Sequence, residues 1–281
     1  MEADADGAGL HPAADEMRSP GLAAADGLGA AFELKFQLDP DQAGLVEAWA
    51  RRHLTPDRHG DDGRYRVTSI YCDTPALDVF HRSGGFRRTK FRIRRYDDAA
   101  RVFLERKRKR GDRVRKRRTP VDADELSVLA AATPPPADWA GVWFAERLRR
   151  RNLWPTACVT YRRAAYFGLA AGAPVRLTMD RDLVGVPAAG WHVPRVEAGQ
   201  SLLPGAVLME LKFHVHMPVM FQDLLSLLPG QLARASKYRR CVELCGIWDG
   251  TPPATPAPTD SAAPADATVD IPPAPPPGTT R

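Results

Sequence analysis

The sequence predicts an α+β fold of antiparallel strands that carry charge on one face, with amphipathic helices packed against the other. Three observations predict it. Short segments alternate charged and apolar residues with a period of two, as in Phe32-Glu33-Leu34-Lys35-Phe36, Lys90-Phe91-Arg92-Ile93-Arg94 and Glu210-Leu211-Lys212. Successive strand residues point to opposite faces, so each segment presents a row of charges on one side. The charge is also local: Phe86 to Arg118 holds 17 Lys and Arg against four acids, 17 − 4 = +13, in a chain of formal net charge +6. Finally, Phe221, Leu224, Leu225 and Leu228 recur at helical spacing. An ordinary sandwich would turn the strand charges to water. A closed antiparallel barrel with a polar, basic lumen would gather them around an anion. Alternation alone leaves both open.

In order, Phe32–Phe36 is a short strand. Asp39-Pro40 then starts a helix, with Asp as N-cap and Pro at the first helical position. Its inner stripe is Leu45, Val46, Trp49 and His53. Tyr65–Cys72 is a second strand. The basic stretch follows as two strands joined by the polar turn 96–100, with a further strand from Arg113 after Gly111-Asp112. Asp122–Ala132 and Asp138–Arg151 read as helices around Pro134–Pro136. Strands resume at Thr156–Arg163, Val175–Met179 and Val207–His214, and Pro218 caps the last helix. Residues 1–30 have few large apolar side chains and are expected to be flexible. The tail, 249–281, holds ten of the 26 prolines and reads as disordered. The folded body is therefore 31–248.

Lys90, Arg92 and Arg94 on one strand and Glu105, Lys107 and Lys109 on the next place like charges side by side. That is unfavourable unless a polyanion neutralises them. A targeting run would need no apolar alternation; a solvated basic face stays the alternative, and the functional reading is a phosphate-binding surface. The pI of about 9.3 fits acidic partners. The four cysteines are scattered without a CxxC pair, which suits reduced thiols and a cytoplasmic location. The start is acidic where a signal peptide would be basic, so none is expected, and no apolar run approaches a membrane span. His214 and His216 end a strand, which explains them without a metal.

Eight segments in series then resemble the VTC (vacuolar transporter chaperone) catalytic domain of the triphosphate tunnel fold. They are FELKF at 32–36, SIYCDTPALDVF at 69–80, KFRIRRY at 90–96, VFLERKRKR at 102–110, VTYRRAAYF at 159–167, VRLTMD at 175–180, LMELKF at 208–213 and SKYRR at 236–240. The resemblance implies an eight-stranded β-barrel whose tunnel moves the γ-phosphate of ATP onto a growing inorganic polyphosphate chain. It implies Arg92, Arg94, Lys107, Arg163, Arg176 and Lys237 as catalytic cations and Glu210 as the ligand of Mn²⁺ or Mg²⁺. Lys35, Arg82, Lys90, Arg115, Lys212 and Arg234 are implied as substrate-phosphate ligands.

The related CYTH triphosphatases and cyclases begin with an ExExK strand. Here the first acidic position is Ala31, which favours the VTC branch. Neither an SPX domain nor membrane helices are read in the chain, so a separate membrane-protein partner, or none, is expected. No specific nucleic acid partner is expected. Two further readings stay open: a tunnel hydrolase of triphosphate or nucleotides, and a non-catalytic binder of polyphosphate or RNA.

Overall fold

The charged alternation at 32–36 becomes β1 (Phe32–Leu38), and the Asp39-Pro40 signal becomes helix α1 (Pro40–His53). This computed structural model describes residues 31–110, 113–214, 216–228 and 236–250. The expected flexible 1–30, the Gly111-Asp112 turn, Arg234 and the tail beyond residue 250 lie outside the described residues. At the start of α1, Asp39 Oδ1 accepts the Gln42 backbone N–H at 2.8 Å and Gln42 Oε1 accepts that of Asp39 at 3.1 Å, a reciprocal cap. The buried stripe of α1 is Ala43, Val46 and Ala50, while Leu45 is 61% exposed. Leu45 was expected to face inward. One residue turns a helix by about 100°, which swings Leu45 off the stripe centred on Val46.

The remaining strands are β2 (Thr55–Pro56), β3 (Arg64–Asp73), β4 (Thr89–Tyr96), β5 (Arg101–Arg110), β6 (Arg113–Asp122), β7 (Trp154–Ala170), β8 (Ala173–Pro187), β9 (Gln200–Ser201) and β10 (Val207–Phe213). Eight long strands pair antiparallel in the order β1-β10-β8-β7-β3-β4-β5-β6, with the two-residue strands β2 and β9 added to β7 and β8. Among the described residues no backbone ladder joins the ends of this order. The end strands β1 and β6 approach each other there without a ladder, and a side-chain pair from β5, one strand in from that end, reaches β1: Lys107 Nζ to Glu33 Oε2 at 2.6 Å.

Helix α2 (Asp78–His81) follows β3, α3 (Val142–Arg150) precedes β7, and α4 (Val219–Ser226) and α5 (Lys237–Leu244) close the described chain. Two expected helices are corrected. The α-helix expected over 122–132 is replaced by the end of β6, where Asp122 pairs with Arg101, followed by a 3₁₀ turn at Asp124–Leu129. The helix expected from Asp138 starts only at Val142, after Trp139 has turned back over Gly141. Helix α5 was not expected at all. Its KYRRCVEL has few apolar residues, yet Tyr238, Cys241 and Val242 share a buried face.

Apolar residues on the outer faces of the strands form two packed layers. Phe36, Leu177, Met209 and Leu211 lie under Val46 of α1 and Phe221 of α4. Phe91, Ile93 and Leu104 lie under Phe144 of α3, in the cluster that also contains Cys241 of α5. Each such buried side chain contributes about 1.5–3 kcal/mol. Asp73, fully buried at the end of β3, ties three elements together. Its carboxylate accepts the backbone N–H groups of Thr74, Val79 and Phe80 at 2.7, 2.7 and 2.9 Å and the Tyr238 hydroxyl. That contact fixes α5, and so places Lys237.

Candidate active site

The inward faces of the strands collect the charges. On β1 and β10, Lys35 Nζ lies 3.1 Å from Glu33 Oε1 and 3.1 Å from Glu210 Oε2, and Lys212 Nζ is 3.1 Å from Glu210 Oε1. Burial and the neighbouring Glu210 work against the charge on Glu33, but Lys107, Lys35 and Lys212 outweigh them and bring its pKa down to about 2. Glu210 is likewise held well below the carboxylate range, burial being overcome by Lys35, Lys212 and Lys107. Lys35 moves the other way: burial opposes its charge, and Glu210 and Glu33 raise its pKa above the ordinary lysine value. The three groups stay ionised together.

A second cluster centres on Glu105 of β5, which has no exposed surface. Arg92 Nε approaches it at 2.5 Å, Lys116 Nζ at 3.0 Å and Arg118 Nε at 3.4 Å. Burial would raise its pKa, but Arg92, Lys116 and Arg94 hold it far below the usual carboxylate range. Beside it Arg94 donates to Ser69 Oγ at 3.0 Å and to the Tyr161 hydroxyl at 3.2 Å. In a third cluster the buried Asp180 of β8 accepts Arg163 Nε at 2.7 Å, Arg163 Nη2 at 2.9 Å and Lys237 Nζ at 2.7 Å. Lys237 also lies 4.6 Å from the centre of the Tyr161 ring. Arg176 donates to the Tyr65 hydroxyl at 3.0 Å and pairs with Asp57 at 3.5 Å.

Two cations have less compensation. Lys90 Nζ donates to Ser236 Oγ, the N-cap of α5, at 2.7 Å. Burial, reinforced by Lys35, Lys107, Arg92 and Arg82, pushes its pKa down to about 7. Burial also lowers Lys107 to about 8, against the pull of Glu33. On β8, Arg176 Nε and Thr178 Oγ1 are buried without a hydrogen-bond partner. Buried polar atoms are normally satisfied, so these two, on one strand face beside Asp180, are open donors aimed into the charged lumen. A cavity of about 580 Å³ opens beside Tyr65 and Arg163, lined by arginines (Arg64, Arg66, Arg162 and Arg181) and by the acids Glu47, Asp97, Asp98 and Asp182.

The tertiary structure thus brings together Lys35, Lys90, Arg92, Arg94, Lys107, Arg163, Arg176, Glu210, Lys212 and Lys237. It leaves Arg115 on the exposed outer face of β6, because Lys116 and Arg118 take the inward positions of that strand. Arg82 caps α2 from an exposed left-handed position and reaches the cluster only as a charge felt by Lys90. Sequence reading assigned no site role to Lys116, Arg118, Glu105, Asp180 or Thr178. Asp180 and Thr178 were visible as the continuation of Arg176 at a period of two. In a run such as Arg-Lys-Arg-Arg, every phase is basic, and the inward row at 116 and 118 carries no signal.

The metal-binding capacity is narrow. Among the described residues no group of three or more His, Cys, Asp or Glu is placed to hold an ion. Glu33 and Glu210 both stay ionised, and the point they share is held by the Lys35 ammonium, 3.1 Å from each. Such a pair fits Mg²⁺ or Mn²⁺, which commonly take one or two carboxylates and complete their shell with water and substrate phosphates.

Three solved structures are similar to this chain in part. HpAC1 from Hippeastrum, described with a dominant triphosphatase activity, matches at 15% identity and TM-score 0.44, covering 77% of this chain and 98% of that one. PH1819 from Pyrococcus horikoshii OT3 matches at 16% and 0.43, over 75% and 99%. An adenylate cyclase-like protein from Bacillus halodurans matches at 13% and 0.44, over 74% and 94%. No curated protein matches the chain. The VTC domain model matches residues 30–245, most of the sequence and all of the strands that carry the charged rows, and the chain belongs to the VTC domain family.

Proposed function

We propose that this chain is a polyphosphate polymerase that transfers the γ-phosphate of ATP to the end of an inorganic polyphosphate chain. The observation that carries the reading is the pair of unsatisfied buried donors, Arg176 Nε and Thr178 Oγ1, inside a lumen whose carboxylates are already engaged by cations. A phosphate oxygen supplies what both lack. Phosphoryl transfer needs positioning and neutralised charge more than covalent help from the protein. The terminal oxygen of the polyphosphate chain attacks the γ-phosphorus, the bond to the β-phosphate bridging oxygen breaks, and ADP leaves with that electron pair. No side-chain nucleophile is required.

In this reading Arg92, Arg94, Arg163 and Arg176 present guanidinium forks to phosphate oxygens, and Lys107 and Lys237 add point charges. Lys35, Lys90 and Lys212 hold substrate phosphates, Lys116 and Arg118 complete the basic wall, and Glu210 with Glu33 would hold the divalent ion. That ion, when bound, neutralises charge on the transferred phosphoryl group. Glu105 and Asp180 act as positioning residues beneath the cations. No helix among the described residues is long and apolar enough to cross a membrane, so a membrane location would depend on something other than these helices.

The test is incubation with ATP and Mn²⁺, following polyphosphate and ADP together, in the wild type and in Glu210→Ala and Arg92→Ala. Polymer with matching ADP is expected, with each variant reduced by about 10²–10³-fold. Phosphate release without polymer would replace the reading with a tunnel hydrolase. No product, with polyphosphate binding intact in Glu210→Ala, would replace it with a binding module.

A further inference from the structure

The lumen uses only half of the basic hairpin. On the opposite face of the same two strands, Arg106 and Arg108 of β5 stand across from Arg117 and Arg115 of β6. Arg147 of α3 and Arg151 at its C-terminus border them. Burial and these neighbours together lower the pKa of Arg106, a sign that the cations crowd one another. Among the described residues no carboxylate forms an ion pair with Arg106, Arg108, Arg115, Arg117 or Arg147, whereas the inward residues of these strands are tied to Glu33 and Glu105.

We propose that this outer arginine face is a second binding surface, outside the tunnel, for an extended chain of inorganic phosphate. It rests on the reading that the tunnel handles polyphosphate, and it gives Arg115 a place that the lumen does not. Like charges directly across a ladder are destabilising, so the arrangement needs a polyanion. The cations are all arginine, whose planar fork matches phosphate oxygens. The aromatic rings nearby are already covered: Arg117 lies 4.1 Å from the centre of the Trp143 ring, and Arg151 lies 5.0 Å from that of Phe86. Trp143 Nε1 is also engaged, donating to Thr119 at 2.9 Å. Without an open ring the face lacks the stacking platform that single-stranded RNA favours. The exposed large apolar side chains, such as Leu45, Leu169, Val219 and Leu227, lie on other elements, so nothing here would insert into a bilayer. A bare phosphate chain needs neither feature.

The test titrates the full chain with long-chain polyphosphate and with tripolyphosphate at several salt concentrations. It compares the wild type with the fourfold variant Arg106→Gln, Arg108→Gln, Arg115→Gln and Arg117→Gln. The variant is expected to lose about tenfold or more in long-chain affinity, with a log–log salt slope shallower by roughly three, at about 0.7 per phosphate contact for four contacts. Tripolyphosphate, short enough for the tunnel alone, should bind both proteins equally. The matching fourfold Lys variant should keep most of the salt slope, tying the loss to charge rather than to folding. Unchanged long-chain affinity and slope in the Gln variant would overturn the proposal. So would a larger loss, in that variant, of binding to single-stranded RNA of equal phosphate number or to phosphatidylserine vesicles. The two readings fail separately. A wild type that makes no polymer yet shows the long-chain difference loses only the polymerase. An active wild type whose Gln variant binds long chains normally loses only this surface.

Discussion

The ammonium of Lys107 on β5 sits 2.6 Å from the carboxylate of Glu33 on β1, joining strands that the sheet order keeps far apart. With no backbone ladder between the end strands β1 and β6 among the described residues, this side of the lumen relies on their close approach and on the Lys107–Glu33 pair, which makes it sensitive to single substitutions. Glu33 is shielded, with 8% of its side chain exposed, and Lys107 is 28% exposed. Lys107→Met should cost about 1–3 kcal/mol, the range for stranding a charged hydrogen-bond partner. Urea denaturation should show Lys107→Met and Glu33→Gln combined costing less than the sum of the two, since both remove the same contact.

The depressed pKa of Lys90 makes stability depend on pH with a definite sign. Its folded value is about 7 against an ordinary 10.5. Between those values the unfolded chain binds more protons than the folded one, so stability should rise as pH goes from 7 towards 10.5. Below pH 7 the penalty of burying the charged amine is fully present. Lys90→Met should flatten this rise and raise the thermal midpoint most at pH 6. A wild-type profile that matches Lys90→Met across this window would refute the assignment.

Glu105 carries more structural weight than its lack of an assigned catalytic role implies. Removing its charge leaves Arg92, Lys116 and Arg118 facing one another without the carboxylate they share. Glu105→Gln should cost about 3–5 kcal/mol, as for breaking a buried ion pair. Saturating tripolyphosphate should recover a larger share of the midpoint in this variant than in the wild type, because the ligand restores the missing negative charge. Differential scanning calorimetry with and without the ligand reads both effects.

Gly63 supports the site from outside. Its φ is +73°, and an added Cβ would lie 2.7 Å from the Ala165 carbonyl oxygen and 2.9 Å from the Asp57 nitrogen, both backbone atoms that cannot swing away. Gly63→Ala should cost about 1–3 kcal/mol through strain. The same shift would disturb Asp57, which pairs with Arg176 and accepts from Tyr65. The prediction is a raised KM for ATP alongside the lower midpoint, read by steady-state kinetics.

The residues legible in the sequence were those whose pattern had one possible phase. Lys35, Arg92, Arg94, Arg176 and Glu210 alternate with large apolar residues, so burying the apolar row forces the charges to the other face. That was enough to choose antiparallel strands with one charged face and helices on the other, and to place the α1 cap at Asp39, while the choice of a closed lumen over an open sandwich came only with the resemblance to the VTC domain. Where the pattern had no phase, the sequence was silent. Arg115, Lys116, Arg117 and Arg118 are all cations, and only pairing with β5 decided that 116 and 118 meet Glu105 while 115 and 117 face out. At the start of the helix expected over 122–132, pairing of Asp122 with Arg101 likewise prevailed over the local helical tendency. Long-range contacts placed Lys237 through Asp73 and Tyr238, and brought Asp180 beneath it. Local sequence fixes which face of an element is apolar. Which charges end up neighbours across a curled sheet depends on register between strands distant in the chain, and only the folded structure holds that information.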